Sequence, residues 1–385
     1  MEYRFPVDKF KSLPTPFYYY DTALLKKTLE IIKNETQKHR NYFVHYAVKA
    51  NANPKILKII SASGLGADCV SGGEIQAALN NGFSNNSIVY AGVGKSDWEI
   101  ELGLDHDIFC FNVESLAELE VIEHIAKQKG KVANVALRIN PEVGAHTNAN
   151  ITTGLAENKF GIAMRDLNGI IESMQEMPFV KLIGLHFHIG SQILDMTDFQ
   201  HLCSRINEIQ AKLRKRDVIV ENINVGGGLG IDYVHPDNAL IPNFKSYFSV
   251  FTNNLELYSN QKLHFELGRS VVAQCGSLIA RTLYVKQGVN KQFVIVDAGM
   301  TDLIRPALYH AHHMIENLSS NETKQTYDVV GPICESSDVF AKDIELNETK
   351  RGDLIAIRSA GAYGEVMASQ YNCRSLPGSY TTEEL

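Results

Sequence analysis

The residues with the clearest chemical potential stand at the end of an apolar segment. Residues 43–48 are aromatic, β-branched or small, which predicts a buried β-strand, and Lys49 closes it just before the turn-forming Asn51, Asn53 and Pro54. Burial disfavours an ammonium ion, and a neutral amine can attack a carbonyl group and hold it as an imine. The alternative is a lysine that extends past the strand end into solvent. Lys49 is therefore a candidate Schiff-base lysine, and its surroundings decide between the two interpretations.

Further polar residues interrupt or close later apolar segments. Asp68 stands inside one, Arg138 and Asn140 close another, and His186 and His188 are separated by one residue in a third. Because side chains alternate along a strand, both imidazoles are expected on one face. A His-x-His pair can bind zinc, but the sequence offers no third ligand of suitable spacing, so we expect no metal. A packed core histidine is the alternative for either residue.

The elements that would position these residues alternate between strands and helices. A short strand at 15–20 and a helix to about Lys38 precede eight apolar segments, which are separated by amphipathic stretches of helix length. Eight such strands within about 230 residues are typical of a (β/α)8 TIM barrel. The predicted barrel strands are 43–49, 65–70, 87–91, 108–113, 132–139, 182–189, 222–225 and 263–267.

The pattern changes after Arg269, where strand-like segments follow one another with turn residues between them. The predicted strands are 276–288, 293–297, 327–330, 338–344 and 353–358, and one short helical piece is expected near 309–318. This pattern predicts a second, mostly antiparallel β domain of sandwich or barrel type. We place the barrel at 21–268 and the β domain at 1–20 together with 269–385.

The barrel gives the polar residues a common location, because active sites of this fold lie at the C-terminal ends of the strands. The seventh strand ends in Gly226-Gly227-Gly228-Leu229-Gly230, where bare backbone N–H groups can bind a phosphate, and Glu266 closes the eighth strand. A lysine, a flat histidine, a phosphate site and a carboxylate are together what pyridoxal phosphate requires. Its aldehyde needs an amine, its ring needs a surface, and its pyridine nitrogen needs an acidic partner that keeps it protonated.

Composition excludes several classes of protein. The 385 residues are 44% hydrophobic and 21% charged, which is enough to bury one large core or two. The formal charge of −7 is spread without basic blocks, so we expect neither nucleic acid nor an anionic membrane surface as a partner. No apolar leader or membrane-spanning run is expected. Six cysteines without Cys-x-x-Cys spacing predict reduced thiols and a cytoplasmic protein.

A set of motifs extends along nearly the whole chain. In the barrel it comprises His45 to Asn51, Gly66 to Glu74, Asn158 to Gly161, His186 to Gln192, Gly226 to Gly230 and Glu266 to Arg269. In the second domain it comprises Asp302 to Tyr309, Gly331 to Asp338, Gly361 to Gly364 and Tyr371-Asn372. The barrel motifs resemble the fold-type III pyridoxal-phosphate-dependent decarboxylases, and those of the second domain more closely resemble the diaminopimelate decarboxylases of that family. The resemblance implies an alanine-racemase-like two-domain architecture. The implied reaction converts meso-2,6-diaminopimelate to L-lysine and CO2, the last step of lysine biosynthesis.

The resemblance also implies roles for particular residues. Lys49 would hold the aldehyde of pyridoxal 5'-phosphate, His188 would stack on its ring and Glu266 would face its pyridine nitrogen. The further residues implied at the cofactor are Asp68, Ser191, Gly226, Gly227, Gly228, Gly268, Arg269 and Tyr371. The residues implied at the substrate are Arg269, Arg305, Tyr309, Glu335 and Tyr371. The implied protein is a homodimer, in which catalytic Cys334 and substrate-binding Glu335 reach into the site of the partner subunit.

Other functions stay open at this point. Glu266 argues against an alanine-racemase-like isomerase, in which an arginine normally meets the pyridine nitrogen. The residues after 275 argue against a one-barrel carrier of pyridoxal phosphate. Among decarboxylases, Arg305 argues against an ornithine-type enzyme, whereas a carboxynorspermidine decarboxylase or another basic amino acid decarboxylase is the main alternative. The chain departs from the family pattern at Leu267, where proline is usual, and in the tail 373–377, which concerns loop shape rather than activity.

Overall fold

The structure, a computed structural model, describes residues 5–144 and 159–385 of the chain. Asn158, which belongs to one of the motifs above, lies outside the described residues. The chain forms two compact units: the barrel unit comprises Leu29–Gly230 and Asn243–Gly268, and the sheet unit comprises the chain up to Thr28, Ile231–Pro242 and Arg269–Leu385. The domain bounds predicted from the sequence, 21–268 and 1–20 with 269–385, stay a prediction.

Regular elements occupy most of the described residues. The strands are β1 (Phe17–Tyr20), β2 (Tyr42–Ala47), β3 (Gly66–Cys69), β4 (Ile88–Tyr90), β5 (Cys110–Val113), β6 (Ala133–Arg138), β7 (Val180–His186), β8 (Asn222–Asn224), β9 (Lys262–Leu267), β10 (Gly276–Gln287), β11 (Gln292–Val296), β12 (Ile315–Asn317), β13 (Lys324–Val330), β14 (Val339–Asn347), β15 (Leu354–Ile357) and β16 (Gly378–Thr381). The α-helices are α1 (Val7–Phe10), α2 (Thr22–Thr36), α3 (Pro54–Ala62), α4 (Gly72–Asn80), α5 (Asp97–Asp105), α6 (Leu116–Lys129), α7 (Leu167–Ser173), α8 (Met196–Arg214), α9 (Phe244–Asn254), α10 (Arg269–Val272) and α11 (Arg305–Tyr309).

Strands β2 to β9 close into a barrel in chain order, and every neighbouring pair is parallel. The predicted (β/α)8 TIM barrel is therefore confirmed. Local sequence explains where its helices begin. Asn53 caps α3, with Pro54 in the first turn, and Ser71 caps α4 through the N–H of Glu74. Because the strands are parallel, the residues at their C-terminal ends gather at one mouth of the barrel.

Two candidate residues lie just beyond the strands to which the sequence assigned them. β2 ends at Ala47, and Lys49 lies in the following helical turn Val48–Ala50. β7 ends at His186, so His188 lies in the loop after it and the predicted strand 182–189 extends too far. The strand pairing ends there because Asn224, the last residue of β8, lies opposite His186, and its carbonyl oxygen accepts a hydrogen bond from the N–H of Phe187 at 2.8 Å.

The sheet of the sheet unit has the order β12-β15-β10-β11-β13-β14, with β1 paired to β10 and to β16. Its pairs are antiparallel except β1 with β16 and β11 with β13, so the predicted mostly antiparallel domain is confirmed. The helical piece expected at 309–318 is wrong. α11 ends at Tyr309, the next residue has a left-handed φ of 52°, and β12 pairs with β15. Strand pairing satisfies the backbone groups there, and this tertiary contact overrides the local helical preference.

The segment Ile231–Pro242 is fixed within the sheet unit by partly buried polar contacts. Arg358 donates to Oδ1 of Asp237 at 2.9 Å and also to Glu316, and Gln274 donates to the carbonyl oxygen of Ala239 at 2.7 Å. These contacts hold the segment that carries Tyr233, a residue of the site described below. In the part of the chain that the structure describes, no helix combines the length and the apolar character needed to cross a bilayer.

Candidate active site

A buried polar network surrounds Glu266 inside the barrel. Oε1 of Glu266 accepts hydrogen bonds from Nδ2 of Asn112 at 3.2 Å and from Nδ2 of Asn224 at 2.7 Å. Its other oxygen, Oε2, accepts a hydrogen bond from Nε2 of His186 at 3.0 Å. All four side chains are buried. They come from β5, β7, β8 and β9, so only closure of the barrel brings them together.

The groups around Glu266 favour its ionised form. Burial alone favours the neutral carboxyl, but the His186 imidazole and the Lys49 ammonium outweigh it and hold the pKa of Glu266 well below its ordinary value. A carboxylate has about four acceptor positions, and the described residues fill three of them here. The network can therefore receive one further donor, such as a protonated ring nitrogen.

The candidate amine, Lys49, faces a buried carboxyl group. Its Nζ lies 3.4 Å from Oδ2 of Asp68 in β3. The Lys49 side chain is 40% exposed, so the expected burial of this amine is wrong, because the residue stands in the turn beyond the strand. Burial and the charge of Glu266 raise the pKa of Asp68 to about 7, against the opposing charge of Lys49. Asp68 can therefore hold or release a proton near neutral pH beside the amine.

Glycines are required where the loop after β8 approaches its neighbours. A Cβ atom on Gly227 would lie 1.9 Å from the carbonyl oxygen of Glu266, and Gly226 has a left-handed φ of 70°. Gly228 continues this loop, and Gly268 packs close to Ala47 at the end of β9. Bare backbone therefore replaces side chains along this part of the mouth, so a ligand can approach the chain closely. The N–H of Gly226 donates to Oδ1 of Asn224 at 2.9 Å.

His188 and Ser191 lie beside this glycine loop. The N–H of Gly227 donates to Nδ1 of His188 at 3.2 Å. Burial and the positive charge of Arg138 hold the pKa of His188 well below its ordinary value, so its imidazole is neutral and presents a flat face. Ser191 is half-buried, and a backbone bridge shortly after it joins its loop to the glycine loop.

A cationic cluster lies within the sheet unit. Arg269 and Arg305 are both buried, and Tyr233 contacts both of them. The OH of Tyr233 accepts a hydrogen bond from Arg269 at 2.6 Å, and the guanidinium carbon of Arg305 lies 4.7 Å from the centre of its ring. Arg269 also lies over the ring of Tyr363 at 4.9 Å, and half-buried Tyr309 ends the short helix that Arg305 begins. Planar guanidinium groups held in this way suit the binding of carboxylates.

A third group of predicted residues is exposed on the sheet unit. The N–H of Cys334 donates to Oδ1 of Asn372 at 3.1 Å, and the OH of Tyr371 donates to Oε1 of Glu335 at 2.8 Å. All four side chains are exposed. Tyr371 therefore lies beside Glu335 of its own chain. The structure thus places the predicted residues in three groups: Lys49, Asp68, His188, Ser191, Gly226, Gly227, Gly228, Glu266 and Gly268 in the barrel unit, Arg269, Arg305 and Tyr309 in the cationic cluster, and Cys334, Glu335 and Tyr371 at this surface.

Sequence reasoning missed several of the partners in these groups. Asn112 and Asn224 stand inside short apolar strands, and a buried amide needs a hydrogen-bonding partner, so their positions were a readable signal. Tyr233 and His313 carry no such signal, because each lies in irregular chain between regular elements. Their contacts with the arginines follow from the path of the loops and not from any spacing.

The class of protein follows from the barrel. Residues 24–273, more than half of the chain, match the family model described as "Pyridoxal-dependent decarboxylase, pyridoxal binding domain". This match includes the Lys49 and Asp68 pair, the glycine loop and the Glu266 network. The fold and this site therefore define a pyridoxal-phosphate-dependent decarboxylase.

Individual relatives narrow this class. The diaminopimelate decarboxylase of Bacteroides thetaiotaomicron is 67% identical over 381 residues, which are 99% of both chains. The crystal structure of diaminopimelate decarboxylase from Helicobacter pylori complexed with L-lysine matches with a TM-score of 0.92 at 41% identity, over 98% of this chain and 94% of that one. A lysine/ornithine decarboxylase from Vibrio vulnificus, complexed with cadaverine, matches over 98% of this chain and 97% of that one with a TM-score of 0.84. At 19% identity it shares only the fold. The chain belongs to the diaminopimelate decarboxylase family.

Proposed function

We infer that the chain is a carboxy-lyase that converts meso-2,6-diaminopimelate to L-lysine and CO2. The observation that carries this inference is the Glu266 network beside the Lys49 amine, in a chain 67% identical to a diaminopimelate decarboxylase. A carboxylate that stays ionised while buried can stabilise a positive ring nitrogen. That stabilisation makes the pyridine ring an electron acceptor, which decarboxylation requires.

The barrel residues fit pyridoxal phosphate. The glycine loop lines the barrel mouth with bare backbone where a Cβ atom would collide, and buried Oδ1 of Asp68 has no partner among the described residues. Lys49 would hold the aldehyde, and the acceptor position that the described residues leave on Glu266 would receive the ring nitrogen. The residues proposed at the phosphate and around the ring are Ser191, Gly226, Gly227, Gly228, Gly268, Arg269 and Tyr371. When bound, the cofactor supplies an aldehyde that captures the substrate amine and a ring that accepts the electron pair left behind by CO2.

The residues of the chain have two further roles, which are binding and proton transfer. The ionised Glu266 would hold a proton at the ring nitrogen of the cofactor, and the neutral imidazole of His188 would stack on its ring. The carbon that loses CO2 must then receive a proton, and Lys49 and Cys334 are the candidate acids. Asp68, 3.4 Å from Nζ of Lys49, exchanges the proton of that amine, because the pKa of Asp68 is raised to about 7.

Substrate recognition rests on the sheet unit. Arg269, Arg305 and Tyr309 bind substrate carboxylates, and the distal ammonium is bound by Glu335, with Tyr371 beside it. A buried guanidinium left without an anion is costly, so a substrate that lacks the distal carboxylate is strongly disfavoured. This requirement separates diaminopimelate from ornithine and from other basic amino acids.

We further propose that the protein works as a homodimer whose sites take Cys334 and Glu335 from the partner subunit. The exposure of both side chains in the single chain supports this arrangement. A cytoplasmic location is supported by the cysteines, because all six have free thiols. Neither nucleic acid nor a membrane is proposed as a partner.

The test of the activity is a substrate panel with purified, cofactor-loaded protein. CO2 release and product are measured for meso-diaminopimelate, ornithine, arginine and carboxynorspermidine. We expect CO2 and L-lysine from meso-diaminopimelate and little turnover of the other three. Comparable CO2 release from ornithine or carboxynorspermidine would contradict the substrate assignment while leaving the class intact. The control is Lys49→Ala, which should abolish turnover of every substrate, because the barrel mouth then loses the amine that holds the cofactor.

A further inference from the structure

His313 makes two buried contacts that no role assigned above explains. Its Nε2 lies 2.9 Å from a terminal nitrogen of Arg305, and its Nδ1 lies 2.8 Å from the carbonyl oxygen of Arg358. Its ring meets that of Tyr233 edge to face at 5.1 Å between centres. The side chain is 2% exposed. His313 therefore connects the cationic cluster to the backbone of the sheet unit.

These partners permit only one protonation state of the imidazole. A carbonyl oxygen only accepts hydrogen bonds, so Nδ1 of His313 carries the proton and donates to Arg358. A guanidinium group only donates, so Nε2 must accept from Arg305. Burial and the charge of Arg305 lower the pKa of His313 to about 3, which keeps this neutral state in place at any ordinary pH.

The hydrogen bond from Arg305 to Nε2 of His313 restricts the orientation of the Arg305 guanidinium. The guanidinium lies over the ring of Tyr233, and this contact sets its plane but does not by itself set its rotation within that plane. An acceptor at one terminal nitrogen stops this rotation and fixes the direction of the remaining N–H groups. Arg305 is buried and close to a second cation, Arg269. A neutral acceptor therefore stabilises the Arg305 guanidinium without adding a further charge beside it.

We propose that His313 is a positioning residue, which holds the Arg305 guanidinium in the orientation that binds the substrate's distal carboxylate. This proposal rests on the proposed function, because that function makes Arg305 the carboxylate ligand. L-lysine retains one carboxylate, whereas cadaverine has the same carbon chain without it. The two ligands therefore separate an effect on carboxylate binding from a general effect on the site.

Two substitutions each keep one of the two hydrogen bonds of His313 and remove the other. The amide of His313→Asn can reach the position of Nδ1 and keep the bond to the Arg358 carbonyl, but it offers no acceptor to Arg305. The longer His313→Gln can place its amide oxygen near Nε2 and keep the acceptor, while the bond to Arg358 is lost. Both variants lose the ring that packs against Tyr233. A difference between them therefore reports which of the two hydrogen bonds matters, and the loss of the ring cancels.

The experiment measures the dissociation constants of L-lysine and cadaverine by calorimetry, with cofactor-loaded wild type and both variants. We expect His313→Asn to weaken L-lysine binding about tenfold, as for a lost hydrogen bond to a charged group, and to leave cadaverine unchanged. The His313→Gln variant should bind L-lysine within about threefold of wild type. With meso-diaminopimelate, KM should rise in the same order and kcat should change less. Cofactor absorbance and melting temperature confirm that each variant is folded and loaded.

Several results would overturn the proposal. Unchanged L-lysine binding in His313→Asn, or equal weakening of L-lysine and cadaverine, would show that His313 does not orient a carboxylate ligand. L-lysine affinity in His313→Gln as low as in His313→Asn would show that the acceptor is not what matters, and this comparison holds even if one variant is less stable. A wild-type protein that binds neither L-lysine nor diaminopimelate would instead overturn the proposed function, and the role of Arg305 with it.

Discussion

Replacing Asp68 with asparagine should increase the stability of the cofactor-free protein, relative to wild type, more at alkaline pH than at pH 5. Asp68 is fully buried, its Oδ1 has no partner among the described residues, and its single ion pair there, with Lys49, is long at 3.4 Å. An asparagine has nearly the same shape and can direct its oxygen to Lys49. The substitution therefore removes the titration of this residue while leaving the packing in place.

The magnitude follows from the pKa of Asp68, which rises from 3.8 to about 7 in the folded protein. The folded state keeps the proton that the unfolded chain releases near pH 4. The stability gained in this way is fully present below about pH 4 and is lost as the pH rises through about 7. About three pKa units correspond to about 4 kcal/mol in all. Between pH 5 and pH 8.5 we expect wild type to lose about 3 kcal/mol relative to Asp68→Asn.

The assay is urea unfolding of cofactor-free wild type and variant at pH 5 and pH 8.5, with the difference in unfolding free energy compared at the two pH values. An exposed aspartate changed in the same way, Asp217→Asn, corrects for the loss of a surface carboxylate. A difference between wild type and Asp68→Asn that stays the same at both pH values would mean that Asp68 is ionised throughout. A change of opposite sign would mean that the Lys49 pair stabilises the carboxylate more than burial destabilises it.

Three further predictions concern the charge, the backbone and the subunits. Glu266→Gln should fold and bind the cofactor but lower the single-turnover rate by roughly 10²-fold, about 2.7 kcal/mol, and an unchanged rate would refute the electron-acceptor role. Gly227→Ala should lose cofactor at equilibrium dialysis, because its Cβ would lie 1.9 Å from a carbonyl oxygen, whereas Gly169→Ala has open space and should retain it. Mixing inactive Lys49→Ala and Glu335→Ala chains should restore about a quarter of wild-type activity after random exchange, and no recovery despite proven exchange would mean that each site uses its own Glu335.

The sequence alone determined those parts of the protein that depend on local pattern. Alternation of short apolar segments with helix-length stretches was sufficient for the barrel, because each strand and each helix start is set by a few neighbouring residues. The positions of Lys49, Asp68, the glycine loop and Glu266 followed as well, since the end of a parallel strand fixes which mouth of the barrel a residue occupies. The helical piece at 309–318 failed where a short segment had a tertiary strand partner instead.

The tertiary structure decided what surrounds those residues. The partners of Glu266 come from strands distant in sequence, so the ionised state of its carboxylate could not be predicted from its own segment. In the same way, the exposure of Lys49 and the raised pKa of Asp68 depend on the turn after β2 and on a charge that barrel closure brings near. The hydrogen bond between His313 and Arg305 depends on the path of the loop after α11, which brings His313 back to the start of that helix. Local preference selects the elements, whereas hydrogen bonds and charges act through space, so the chemistry of the site is set only when the chain has closed around it.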